Sequence, residues 1–545
     1  MDCHSTPTYQ LTFKPYAMRP KIMSKAPNFL FIITDQHRAD HLGCYGNAVV
    51  KTPNIDRLAE RGTRFDKFYV ANPICMCNRA SILTGRMPSL HGVRHNGIPL
   101  STDATTFTDL LRAAGYRTGL IGKSHIQNMT GLPAATRYEP QVGLSQPPED
   151  LREASKRQRV GQAYERENRF RWEQDEHYHV ETPFYGFDEV HIANDHGDRV
   201  TGDYEVWLKR QHPNADALRG PENAIPDARY HAPQAWRTRV PEALYSTTYI
   251  AQRSEEFLER QSGDQPFFLM MSFPDPHHPF TAPGKYWDMY NPDDITLPPS
   301  FGKGDLPPIQ ALREALTMGK GGRDGQDPFA VTAREAQEII ALTYGSISMI
   351  DDAVGRVIGT LERLGLADDT VICFTSDHGD YMGDHGLMLK LLMHFQGLIR
   401  VPFIWVDPNN QASRAVNPNL TSSIDIAPTI LKRAGIQPYI GIQGRDLFGT
   451  DPVRQGLIIE EDSQRRMRAF DRPQRVRTYV EPGWRLSLRH GEVWSELYDL
   501  NNDPDELNNV WDNPQYQADK HRLLEAMLRE SIALQDRSPL PTYRA

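Results

Sequence analysis

Asn72-Pro73-Ile74-Cys75-Met76-Cys77-Asn78-Arg79-Ala80-Ser81-Ile82-Leu83-Thr84-Gly85-Arg86 holds two close cysteines, then an arginine, then a run that reads as the first turns of a helix. A C-x-C pair alone carries little information. A Cys75–Cys77 disulfide would be strained at that spacing, and a zinc site would want a second pair, which the sequence lacks. The weight comes from what surrounds it. Residues 65–70 read as a strand leading into the cysteines. Upstream, Asn28-Phe29-Leu30-Phe31-Ile32-Ile33-Thr34 is a continuous apolar run between Pro27 and Asp35. Far downstream, Thr370-Val371-Ile372-Cys373-Phe374-Thr375 runs into Ser376-Asp377-His378-Gly379-Asp380. Such runs are the pattern of strands buried on both faces of a parallel sheet.

The same texture recurs between and beyond these runs. Residues 117–121 predict a strand followed by Gly122-Lys123-Ser124-His125, and 266–273 predict one ending in Pro274-Asp275-Pro276-His277-His278. Residues 401–406 read as a last parallel strand. Helices are expected from Thr52, over 106–114, over 244–260 and near 424–434. The clearest covers 333–364, where Ile340, Tyr344, Ile347, Ile350, Val354, Val357, Leu361 and Leu364 recur at helical steps before Gly365. After about residue 450 short strands and tight turns take over, then a helix over 513–534 with Asn513 as its cap and Pro514 in its first turn. The fold class is therefore α/β: a large, mostly parallel central sheet flanked by helices, with a smaller C-terminal antiparallel sheet subdomain. The expected divisions are an N-terminal extension (1–26), a catalytic domain (27–450) with an irregular insertion near 127–180, and a C-terminal subdomain (451–545).

Asp35, Lys123 with His125, His277, and Asp377 with His378 each follow the C-terminal end of an expected buried strand. In open α/β sheets ligands bind at that edge. One such residue alone is more often a helix cap or a satisfied loop residue. Four coincidences on one edge indicate an active site. Asp35, Asp377 and His378 are oxygen and nitrogen ligands suited to a divalent cation, and Gln36 can add a neutral oxygen.

The opening stretch resembles the signature of the sulfatase family: Cys-x-Pro-x-Arg, then a serine- and leucine-rich helix ending in Thr-Gly-Arg. Further resemblance lies in Asp351-Asp352-Ala353-Val354-Gly355-Arg356, in Thr375 to Asp380, and in Glu496-Leu497-Tyr498-Asp499-Leu500 followed by Asp503-Pro504 and Glu506. It spans nearly the whole chain except roughly 127–180 and parts of 200–240. It implies the sulfatase branch of the alkaline phosphatase superfamily and an alkaline-phosphatase-like fold. It further implies that Cys75 is oxidised to formylglycine by a formylglycine-generating enzyme. One hydroxyl of the hydrated aldehyde would attack, and the other would later expel the bound group. By the same resemblance Arg79 would hold that side chain, Lys123 and Lys390 would grip non-bridging oxygens, His277 would protonate the leaving oxygen, and His125 would act as a base. The implied metal ligands are Asp35, Gln36, Cys75, Asp377 and His378. The chain departs from the pattern at Cys77, where proline or alanine is usual, and at Gln36, where many members carry a second aspartate. With His378 in the Asn/His position, this resembles the phosphonate monoester hydrolase branch and favours Mn²⁺ over Ca²⁺.

Composition narrows the partners. A net charge of −9 over 545 residues argues against nucleic-acid binding. No run approaches eighteen apolar residues, so no transmembrane helix is expected. Residues 1–25 have no apolar core of a secretory signal, and five scattered cysteines make no disulfide framework, so the expected location is cytoplasmic. The insertion and the tail 538–545 suit contacts in a homo-oligomer. The leading expectation is a promiscuous hydrolase of small-molecule sulfate monoesters, arylsulfatase-like. The alternatives are a phosphonate monoester or phosphodiester hydrolase, and a non-catalytic anion-binding protein in which Cys75 stays a thiol.

Overall fold

The computed structural model describes residues 26–132, 139–155, 158–261, 265–320, 322–409, 415–464, 466–467 and 469–542. Nearly all of the expected N-terminal extension, and Tyr543 to Ala545 of the tail, lie outside the described residues. The strands in chain order are β1 (Asn28–Thr34), β2 (Thr63–Tyr69), β3 (Arg117–Gly122), β4 (Glu189–Ile192), β5 (Phe267–Ser272), β6 (Phe329–Ala330) and β7 (Thr370–Ser376). They continue as β8 (Leu387–Met388), β9 (Phe403–Val406), β10 (Ala415–Ser422), β11 (Leu457–Asp462), β12 (Arg475–Glu481), β13 (Trp484–Arg489) and β14 (Glu496–Asp499).

Eight of these form one sheet in the order β10-β2-β9-β7-β1-β5-β3-β4. β1 lies at its centre, paired in parallel with β7 on one side and β5 on the other. Every residue of β1, β5 and β7 is buried, because both faces are covered. The pleat divides their side chains between two cores. Phe29, Phe31 and Ile33 face a core that includes Met76, Cys77 and Ala80 of the helix Cys75–Thr84. Leu30 and Ile32 face a core built on Ile339, Ile347, Ile350 and Val354 of the helix Ala333–Arg363. That 31-residue helix starts with a capping box between Thr332 and Glu335.

The strand expected over 401–406 is present as β9, but it is not parallel. It runs antiparallel to both of its neighbours, β7 and β2. A parallel return would need a crossover to the far edge of the sheet. Instead the chain leaves β7 at its C-terminal end, stays on that edge through residues 377–402, and re-enters from the same side. Two edge strands escape the sequence reading. β4 pairs in parallel with β3, and β10 in parallel with β2 with a register shift between Asn417 and Leu420. The first five residues of β10 are exposed or half-buried, so it carries no apolar run.

β11 to β14 form a separate four-stranded antiparallel sheet in sequence order. The helix Gln517–Ala533 packs beside it, preceded by a 3₁₀ turn in which the Asn513 side chain accepts from the Gln515 N–H. No helix among the described residues is long and apolar enough to cross a membrane.

Candidate active site

The expected residues converge where the parallel strands end. Asp35 follows β1, Lys123 follows β3, His277 follows β5, and Asp377 with His378 follows β7. The helix Cys75–Thr84 starts at Cys75, so that side chain sits in its first turn, at the partially positive end of the helix. Cys75 Sγ lies 3.1 Å from His378 Nε2, 3.0 Å from Lys390 Nζ and 3.6 Å from Asp35 Oδ1. Ligand atoms from Asp35, Cys75, Asp377 and His378 all fall within 4.8 Å of one another, and all four residues are buried.

Tight backbone packing brings these strand ends together. At Gly122, whose φ is +110°, a Cβ would meet the Ser272 carbonyl oxygen at 1.8 Å. Glycine is therefore required just before Lys123. Gly379 meets the same limit against the Gly397 carbonyl oxygen, at 1.9 Å.

Each donor has a defined hydrogen-bond state. His378 gives its Nδ1–H to the Gly379 carbonyl at 2.8 Å, which leaves Nε2 facing Cys75, Asp35 and Lys390. Asp377 accepts from Arg79 Nε at 2.7 Å and from the Gln36 backbone N–H at 3.2 Å. Arg79, one helical turn beyond Cys75, also reaches the Lys123 carbonyl and Ser272 Oγ, both at 2.9 Å. It thus ties the carboxylate after β7 to the ends of β3 and β5. Gln36, at φ +63°, directs Nε2 to Asp380 Oδ2 at 2.5 Å, while its Oε1 is buried without a partner among the described residues. Lys390 Nζ spans Cys75, His378 and His277, with His277 Nε2 2.9 Å away. Lys123 Nζ is hydrogen-bonded to Asp35 Oδ2.

Charge in this buried volume is unevenly shared. Burial works against ionised Asp35, but Lys123 above all, with His378 beside it, holds its carboxyl well below the usual carboxylate range. Burial and Asp35 push the Cys75 thiol up, yet Lys390, His378 and Lys123 pull it down to about 7. Cys77, two residues on, is pushed up instead, by burial and then by Glu461. For His378, burial and Lys390 oppose the charged form, but Asp377, Cys75 and Asp35 outweigh them and raise it to about 10. His277 is held well below the ordinary imidazole range by burial and by the Lys390 ammonium beside it. His125 is held low by burial and Lys123. Its ring is buried at φ +52°, and its Nδ1 has no hydrogen-bond partner among the described residues.

Two participants went unread in the sequence. Glu167 comes from the irregular stretch within 127–180, yet it is buried. It accepts from Ser124 Oγ and from the N–H groups of His125, Ile126 and Gln127, and takes one bond from Asn194 Nδ2. No local pattern distinguishes it from the other charges there. His196 stands beyond the end of β4, with its ring stacked on His277. The signal for it, a histidine at a strand end, is masked because the four residues of β4 carry too little apolar sequence to read as a strand.

The family model described as Sulfatase matches residues 27–436. The chain belongs to the sulfatase family, a branch of the alkaline phosphatase superfamily. It is 28% identical over 514 residues to an arylsulfatase of Clostridium perfringens, covering 92% of this chain and 94% of that protein. It is 27% identical over 511 residues to a choline-sulfatase of Rhizobium meliloti, covering 91% and 85%. Among solved structures it resembles the phosphonate monoester hydrolase of Agrobacterium radiobacter, with a TM-score of 0.73 and 25% identity over 94% of this chain and 97% of that one.

Proposed function

We propose that this protein hydrolyses sulfate monoesters of the aryl type, using a formylglycine made from Cys75 and one divalent cation, with phosphonate monoesters as secondary substrates. The observation that carries this reading is the placement of Cys75 Sγ: at a helix start, against His378 and Lys390, and within 3.6 Å of Asp35.

The donor set suits a cation. The negative charge that raises His378 to about 10 would equally hold a divalent ion among Asp35, Asp377, His378 and residue 75. The unpartnered Oε1 of Gln36 supplies a further neutral oxygen beside them. When bound, the cation supplies Lewis-acid activation, and the hydrated aldehyde at residue 75, installed by a formylglycine-generating enzyme, supplies a hydroxyl nucleophile.

The chain's own groups divide the remaining work. Arg79 fixes the Asp377 carboxylate. Lys390 brings its ammonium group to residue 75 and Lys123 brings another to Asp35 beside it, where they would neutralise charge on non-bridging oxygens. His277 gives Nδ1–H to the His278 carbonyl at 2.6 Å, so its Nε2 points at Lys390. A proton shared along that Lys390–His277 bond is the one available to a leaving oxygen. Full burial excludes bulk water, which strengthens each of these interactions.

A phosphonate monoester as the main substrate is the second reading. The Asp377-His378 pair, Gln36 in place of a second acid, and the likeness to a phosphonate monoester hydrolase favour it. The deciding experiment compares kcat/KM for an aryl sulfate and an aryl phosphonate monoester that share one phenol leaving group. A large preference for sulfate supports the first reading, and a preference for phosphonate the second. No turnover of either, with Cys75 still alkylatable as a thiol, would overturn both in favour of a non-catalytic anion-binding protein.

A further inference from the structure

A further imidazole at the site, His196, has no part in the reading above. It lies in Asn194-Asp195-His196, just past the edge strand β4, and is buried. Its Nε2 is 2.6 Å from Lys123 Nζ and 3.5 Å from Asp35 Oδ2. An ammonium only donates, so Nε2 accepts and the imidazole proton sits on Nδ1. That proton faces Asp195 Oδ1, 3.4 Å away.

The ring itself is stacked on His277, with centroids 3.6 Å apart and planes 14° apart. His278 lies against His277 at 4.0 Å, while His196 and His278 are 6.3 Å apart. His277 is therefore held between two imidazoles. Its remaining freedom, rotation about its own ring normal, is removed by the Nδ1–H bond to the His278 carbonyl. Lys123 is fixed in an equivalent way. Its ammonium sits on a flexible four-carbon stem and has three N–H groups. Asp35 Oδ2 takes one and His196 Nε2 takes another, so the direction of the third is set, and it has no acceptor among the described residues.

We propose that His196 is a positioning residue for ester hydrolysis: its Nε2 aims the free N–H of Lys123 at the transferred group, and its ring face holds the plane of His277 towards the leaving oxygen. This rests on the hydrolase reading above. It assigns two separable jobs to one side chain, and two substitutions separate them. His196→Phe keeps a ring for His277 but offers Lys123 no acceptor. His196→Gln offers an acceptor oxygen but no ring face.

The experiment measures kcat/KM for wild type and both variants on aryl sulfates whose phenols span a wide range of acidity. Equilibrium binding of inorganic sulfate and thermal unfolding are measured alongside. For His196→Phe we expect a fall of about tenfold or more that is the same for every leaving group, together with weaker sulfate binding. For His196→Gln we expect near-normal rates with activated phenols, a fall of about tenfold or more with poor leaving groups, and sulfate binding close to wild type. A steeper leaving-group dependence is a signature that lost packing alone would not produce. Two outcomes overturn the proposal: both variants within about twofold of wild type, or both falling by one common factor alongside a lowered melting temperature. If wild type turns over no ester, the hydrolase reading has failed instead. The sulfate-binding comparison still decides whether His196 directs Lys123.

Discussion

Glu167→Ala tests whether one carboxylate from the irregular segment holds the strand end that carries Lys123 and His125. Glu167 Oε1 accepts from Ser124 Oγ, Ile126 N and Gln127 N, each at 3.0 Å. Oε2 accepts from His125 N at 2.8 Å and Asn194 Nδ2 at 2.7 Å. Truncation leaves three buried backbone N–H groups without a partner, each costing about 1–3 kcal/mol. An offset exists, because burial pushes the Glu167 carboxyl up despite its bonds, and removing it relieves that desolvation cost. The net loss should be about 3–5 kcal/mol. With an unfolding entropy of about 2.1 cal/mol/K per residue, that is a fall of roughly 3–4 °C in Tm.

Activity should suffer more than stability. The strained His125, at φ +52°, would relax, and Lys123, two residues before it, would move. A displacement of about 1 Å is enough to cost about a hundredfold in kcat/KM. Glu167→Gln should fall between, because its carbonyl can keep the three donors of Oε1 while its NH₂ faces the other two. Asn194 cannot flip to help, since its Oδ1 already accepts from Ser124 N at 3.0 Å. The assay is calorimetry beside steady-state kinetics on both variants. A Glu167→Ala protein with Tm within about 1 °C and kcat/KM within about twofold of wild type would refute the reasoning.

Chelation should abolish activity and lower Tm, since an ion bound only by the native state stabilises it. Mn²⁺ should restore both better than Ca²⁺, because His378 brings an imidazole into the donor set; recovery with Ca²⁺ alone would contradict this. Asp351 gives a separate pH signature. It accepts from Ile55 N at 2.8 Å and Asn54 N at 3.2 Å, capping the helix Pro53–Arg61, and burial raises its carboxyl to about 6. A carboxyl raised in the folded state contributes stability that is present below its unfolded pKa and is lost as pH rises through 6. Asp351→Asn lacks this dependence, so its Tm relative to wild type should rise between pH 4 and 7 by up to roughly 2–3 °C, read by calorimetry at both pH values; a relative fall would contradict the assignment.

Those parts of the fold that bury both faces were legible. β1, β5 and β7 carry continuous apolar runs, and their ends supplied Asp35, His277, Asp377 and His378 without reference to anything distant. β4 and β10 were harder to read because edge strands need little apolar surface, and His196 was lost with β4. The direction of β9 was illegible for another reason. Its residues fix that it is a buried strand, but the route of the preceding loop fixes which way it runs. Glu167 belongs to a third kind. Its role depends on five partners contributed by two loops, and no spacing in its own neighbourhood encodes them.

The antiparallel course of β9 has a consequence for the candidate site. Because residues 377–402 never leave the site edge, this loop returns Lys390 to a point 3.0 Å from Cys75. The geometry is costly: Leu389, Leu391 and Leu392 take φ of +72°, +106° and +65°, a region leucine enters at about 1–2 kcal/mol each. Such strain persists only where the surroundings over-determine the backbone. Asp380 Oδ1 accepts from Met382 N at 2.7 Å and Leu389 N at 3.0 Å. Beyond Lys390 the C-terminal sheet takes over: Glu461 of β11 accepts from Leu392 N at 2.8 Å, and Arg489 of β13 donates to the Leu392 carbonyl at 2.5 Å. His394 braces Glu461 at 2.9 Å, and Glu496 of β14 pairs with Arg489. The small sheet therefore reaches the candidate site through the backbone of one loop, by holding an unfavourable conformation that aims a single ammonium group at residue 75.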